Sequence, residues 1–288
     1  MPFNRHILSL AAALACAGLS AACDENSAGP GDPALSNAQA DSLAEVVVMD
    51  MDAEIDAASS SGASSAFVLS AAGAPCIPTV TPTPVVNTDG DRAPDSVRIA
   101  FGACANVWPF HTDSISGSID LIDPTPAVAG KNVKFVFTNL AHKRVFTPSG
   151  LWTSITLDGV RQASRDSSVL QHTVTGFSTD YVFRNGGTAS HTRTWSSTFT
   201  ADVAGSIARD AVLPSGNWNV AGTSSWQRGS ITHQVAVTTN PALHYNASCT
   251  VVPRFDSGTA IAVVTRNGAV STVTVQFTAC GTYTVTRS

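Results

Sequence analysis

The chain has 288 residues, 43% of them hydrophobic and only 13% charged, with a formal net charge of −5 at pH 7. That balance excludes the strongly basic surface of a nucleic-acid binder. Abundant Ser, Thr, Val, Ala and Gly fit an all-β exported protein better than a helical one. The charge is uneven: residues 24–60 hold nine acids and no base, and residues 61–288 are slightly positive.

The first residues read as an export signal. Arg5 precedes an apolar run over residues 7–22, and small residues lead to Cys23. Leu19-Ser20-Ala21-Ala22-Cys23 has the form of a bacterial lipobox. It predicts residues 1–22 as a signal peptide and Cys23 as a lipidated N-terminus. The run is shorter than the roughly 20 residues that a membrane-spanning helix needs. The expected location is the bacterial cell envelope, on the outer side of the cytoplasmic membrane or on the outer membrane. The membrane would be reached through the N-terminal lipid.

Residues 23–75 are expected to form a tether, one short acidic helix and a linker. Residues 24–35 are rich in Gly, Pro and Ala. Ser36-Asn37-Ala38-Gln39 can act as a capping box. Leu43, Val47, Met51 and Ile55 then recur every four residues with acids between them, which predicts an amphipathic helix over 40–57. Residues 59–74 are a Ser/Ala/Gly linker.

From Cys76 the period changes to two. Val97, Ile99 and Phe101 alternate with Arg98 and Ala100, and Val273, Val275 and Phe277 alternate with Thr274 and Gln276. Val133, Phe135 and Phe137 do the same. Turn signals stand at Asp158-Gly159, Asn185-Gly186-Gly187, Arg228-Gly229 and Asn267-Gly268. Residues 76–288 are therefore expected to be an antiparallel meander of about a dozen strands, forming a sandwich or a rolled sheet with one buried face.

Four cysteines follow Cys23, and an even number in an oxidising compartment predicts two disulfides. Residues 96–104 and 272–280 align, each ending in cysteine, and each has a second cysteine upstream. A hairpin centred on Gly90 sets Cys76 opposite Cys104. A second hairpin, turning at Asn267-Gly268, carries Cys249 and Cys280; a bulge near Ser257-Gly258 would absorb part of its register mismatch. The expected pairs are Cys76–Cys104 and Cys249–Cys280.

At these residues the chain resembles a family of uncharacterised bacterial β-rich lipoproteins, with a lipobox, a short acidic helix and hairpins of the form Val-x-Ile-x-Phe-x-x-Cys. Arg193-Thr194-Trp195, the run 220–225 and the closing Cys249/Cys280 hairpin match that pattern. The resemblance covers most of residues 76–288 and implies no particular activity.

The most pointed polar cluster is residues 87–95. Asn87, Asp89, Asp91 and Asp95 occupy positions 1, 3, 5 and 9 of a calcium loop. Arg92 stands where such a loop has its turn glycine, and Arg98 where it has its bidentate acid. The alternative is a polar turn whose arginines neutralise the acids. No cofactor is otherwise required. The closest two histidines, His233 and His244, lie 11 residues apart, so no short metal motif exists. There is no Gly-x-Ser-x-Gly elbow and no Ser-x-x-Lys. The five tryptophans are expected mainly in the core. Lys131, Lys134, Lys143 and Arg144 are expected as a basic stretch around one hairpin, able to touch anionic headgroups or envelope polymer.

These features point to a non-catalytic envelope lipoprotein, a binding or structural module with a protein or polysaccharide partner. A carrier holding a lipid in a curved sheet is the runner-up. A hydrolase with a dispersed site is the third reading: it would need a histidine bonded to a serine and an acid in one cleft.

Overall fold

A computed structural model describes residues 78–91, 93–208 and 212–288. The expected signal peptide, lipidated Cys23, tether, acidic helix and Cys76–Cys104 pairing lie outside the described residues. Thirteen strands follow in order: β1 (Thr79–Thr81), β2 (Ser96–Val107), β3 (His111–Ile122), β4 (Lys131–Phe146), β5 (Trp152–Arg165), β6 (Val169–Val182), β7 (Thr188–Ala201), β8 (Gly216–Arg228), β9 (Ile231–Thr239), β10 (Leu243–Tyr245), β11 (Phe255–Arg266), β12 (Ala269–Ala279) and β13 (Thr282–Arg287).

All thirteen join one antiparallel sheet, and the fold is an all-β meander in which sequence neighbours are sheet neighbours. β9 and β10 lie end to end in one lane: both pair with β8 and both pair with β11. Pro241, between them, has no amide hydrogen to give a ladder, so the strand breaks there. The Asn267-Gly268 turn is a two-residue hairpin with Arg266 opposite Ala269 and both turn residues at positive φ, 48° and 87°.

Alternation along each strand sets the buried face. On β7, Trp195, Phe199 and Ala201 are buried and alternate with Ser196, Thr198 and Thr200. The aligned segments behave alike: Val97, Ile99 and Phe101 of β2 are buried, as are Val273, Val275 and Phe277 of β12. Trp218, Val174 and Val273 are only 1% exposed. No helix and no second sheet is present among the described residues, so a face this dry requires the sheet to curl over itself. Ile207 and Leu213, from the connection between β7 and β8, join the large cluster. A smaller cluster gathers Val97, Ile99, Phe101, Ile119 and Leu121.

A line of bulges crosses five adjacent strands. Register shifts fall at Phe101/Cys104, Ser116/Ser118, Phe137/Leu140, Asp158/Val160 and Val174/Phe177. Each bulge bends its strand and raises the local twist. Side by side they crease the sheet.

Three expectations change here. Asp158-Gly159 is not a turn but lies inside β5, where Gly159 takes a φ of 121° at the crease; a bulge and a tight turn ask for the same residue type. Lys131, Lys134, Lys143 and Arg144 do not surround a hairpin. All lie on β4, with Lys131 and Lys143 about 40 Å apart at strand rise. Of the tryptophans, Trp195 and Trp218 are core, whereas Trp108 and Trp152 are exposed.

Candidate functional site

The sheet has two unlike ends. One gathers the long loops 123–130, 202–215 and 246–254, together with the Cys249–Cys280 bridge. The other is a row of tight turns after β2, β4, β6, β8 and β11.

The turn end is aromatic and cationic. Trp108-Pro109-Phe110 closes β2 onto β3, and residues 147–151 close β4 onto β5. The two tips are tied together, since the amide of Thr147 donates to the carbonyl of Phe110 at 2.8 Å. Phe110 is 76% exposed and Trp108 51%, with Leu151 and Trp152 also at the surface. The Lys143 ammonium stands 4.4 Å from the centre of the Trp152 ring. The Arg184 and Arg228 guanidiniums stand 4.6 and 5.0 Å from the Phe146 and Phe183 rings. Arg144 instead donates twice to Asp113, at 2.7 and 3.0 Å, and its hydrogen bond is the main cause holding the Asp113 carboxyl below its usual range. His111 and His142 flank the same carboxylate at 3.3 and 3.8 Å.

Two histidines carry parts of a hydrolytic constellation, in different places. His191 Nε2 lies 2.7 Å from Ser224 Oγ, on β7 and β8. Among the described residues no carboxylate reaches its ring; burial, then the charge of Arg193, push its pKa down. His244 has the reverse arrangement. Its Nδ1 lies 2.7 Å from Asp256 Oδ1 and its Nε2 2.9 Å from Asp202 Oδ2, so it bridges β10, β11 and the loop after β7. Asn246 Nδ2 donates to the other oxygen of Asp256. A triad needs the acid and the serine on one imidazole; here they are on two.

The His244 bridge predicts a pH dependence. Partial burial disfavours its charge, but hydrogen bonds to Asp202 and Asp256 and their negative charge outweigh burial and raise its pKa above 6.5. Its stabilisation is complete below the unfolded value near 6.5 and is lost as pH rises through the folded value. The melting temperature of the parent should therefore fall relative to His244→Gln between pH 6 and pH 8.5. Parallel melting curves for the two proteins across that range would contradict this. His191 and His233, whose pKa values burial lowers, act in the opposite sense, and their contribution is lost as pH falls.

The acidic loop lies at the other end, between β1 and β2. The Asn87 carboxamide folds back on the loop: Oδ1 accepts from the Gly90 amide at 2.9 Å and Nδ2 donates to the Asp91 carbonyl. Asp95 accepts from both the amide and the hydroxyl of Thr88, and these bonds, the hydroxyl's first, lower its pKa. Asp89 and Asp91 are gathered with Asp123, from the loop after β3, with one oxygen of each within 4.8 Å of the others. Arg98 turns away from the loop, donating to Ser118 Oγ at 2.9 Å and lying 3.9 Å from Asp120. Asp123 escaped the sequence reading because 32 positions separate it from Asp91.

A depression of about 320 Å³ on β8, β9 and β11 is lined by Thr223, Ser224, Gln234, Val235, Val263 and Thr265. Its lining mixes hydroxyls and an amide with the apolar side chains of Val235, Ala236 and Val263. Family models, curated proteins and solved structures contain no match to this chain.

Proposed function

We propose that this protein is a non-catalytic, lipid-anchored module of the bacterial cell envelope, and that its turn end rests on an anionic lipid surface. The observation that carries the reading is the row of exposed aromatic tips, Trp108, Phe110 and Trp152, at the end of the sheet that also holds Lys143, Arg184 and Arg228. Aromatic rings suit the polar–apolar boundary of a bilayer, and cations beside them suit anionic headgroups. The lipobox at Leu19 to Cys23 supports attachment to the same membrane. Residues 24–77 are long enough to let the sheet turn either end toward the surface to which it is anchored.

The test removes the lipid and asks whether the fold still binds. The mature chain, beginning at residue 23 and carrying Cys23→Ser, is sedimented with phosphatidylglycerol/phosphatidylcholine vesicles and with phosphatidylcholine alone. Binding is expected to the anionic vesicles only, and to weaken with salt. Adding Trp108→Ala, Phe110→Ala and Trp152→Ala should lower partitioning at least tenfold. Burial of even one such ring contributes about 1.5 kcal/mol or more, and 1.4 kcal/mol is tenfold in affinity. Equal binding by the triple variant, or none by its parent, would reject the turn end as the membrane surface.

A further inference from the structure

We infer that Asp89, Asp91 and Asp123 form a calcium site that fastens the loop between β1 and β2 to the loop between β3 and β4. Three carboxylates do not gather without a reason, because their charges repel. Among the described residues no cation is paired with any of them, since Arg98 is engaged with Ser118 and Asp120.

The stronger observation concerns individual oxygens. Asp123 is 3% exposed, and one of its two oxygens has no hydrogen-bond partner. The other accepts from the amide and hydroxyl of Thr125, which fixes the carboxyl plane. Oδ2 of Asp89 is likewise shut off from water and without a partner. A buried carboxylate oxygen left bare costs several kcal/mol unless a cation meets it. Two such oxygens, in one group of three acids, mark a place built for positive charge.

The dimensions admit calcium. Two oxygens each about 2.4 Å from one calcium can be no more than about 4.8 Å apart. One oxygen from each of the three acids satisfies that limit. The order of residues agrees. Asp89 and Asp91 hold positions 3 and 5 of a calcium loop, and Asn87 holds position 1. Position 12, where such a loop carries its bidentate acid, is Arg98. Asp123 supplies that acid from another strand connection. Three hard, anionic oxygens with room for carbonyls and water favour calcium over magnesium, which demands a tighter octahedron and gives up its water reluctantly. The ion would join segments about 30 residues apart, at the end of the sheet where β2 begins and β3 ends.

The experiment is calorimetric titration of calcium chloride into the full-length protein after chelator treatment, paired with melting curves in calcium and in chelator. One saturable site is expected, with magnesium at least tenfold weaker and a melting temperature that rises with calcium. Asp123→Asn and Asp91→Asn should each weaken calcium at least tenfold, and Asp180→Asn, on β6, should leave it unchanged. Asp91→Asn decides the matter if Asp123→Asn does not fold. Absence of calcium binding by the parent overturns the site. Undiminished binding by a folded Asp123→Asn or Asp91→Asn variant overturns it too, and magnesium binding as tightly as calcium overturns the ion assignment.

Discussion

Gly159→Ala is expected to cost about 3 kcal/mol or more, a large share of the 5–15 kcal/mol typical of a folded domain. Gly159 has a φ of 121°, a region that costs a side-chain-bearing residue about 1–3 kcal/mol. A Cβ there would also lie 2.5 Å from Phe177 Cα and 2.7 Å from the Gly176 carbonyl oxygen. Backbone cannot step aside as a flexible side chain can, and such overpacking costs a further 1–3 kcal/mol or so. The same glycine leaves the space across which Phe137 meets Phe177 edge-on, with ring centroids 5.3 Å apart. The urea midpoint should fall sharply for Gly159→Ala. It should fall much less for Gly229→Ala, where φ is 58° and a Cβ meets nothing within 4 Å. Equal midpoints for the two variants would show that the crease tolerates a side chain.

Loss of the Cys249–Cys280 bridge is the second large effect. The bond spans 31 positions, with Cα atoms 5.5 Å apart. Closing a loop of that length in the unfolded chain is worth about 3.5 kcal/mol. Cys249 sits in the loop between β10 and β11, and Cys280 in the turn between β12 and β13, so the bridge ties two connections rather than two paired strands. The double variant Cys249→Ser/Cys280→Ser should melt well below the parent. Hydrogen exchange should quicken first in residues 246–254 and in β13. An unchanged melting temperature would mean that strand pairing alone holds this end.

The strands were legible because one face is dry and the other wet, and a period of two follows from that. Phe199 among threonines and Val275 among threonine and glutamine needed no tertiary information. Asn267-Gly268 was legible because a two-residue turn admits few residue pairs. Gly159 was misread because positive φ is a local demand that a bulge and a turn share, and only the pairing of β4 with β6 through β5 tells them apart. The bare oxygen of Asp123 and the bridge of His244 to Asp202 and Asp256 join residues 12 to 42 positions apart, and no local pattern marks such meetings. Trp108 and Phe110 did carry a signal: the alternation stops at Pro109, which places both rings on a turn rather than on a packed face.

The unbroken order of the meander also bears on how the protein is made. Each strand after β1 finds a partner in the strand just before it, except β10, which pairs with β8 beyond the end of β9, so no segment has to wait for a distant one. Assembly can advance one strand at a time behind the synthesis of the chain. The cost falls on the newest strand, which offers bare amides and carbonyls to any passing chain until the next one is added. Among the described residues the completed sheet ends in the six residues of β13 and in β2, whose outer edge β1 covers only over 98–100, so these two boundaries are where another chain could still pair.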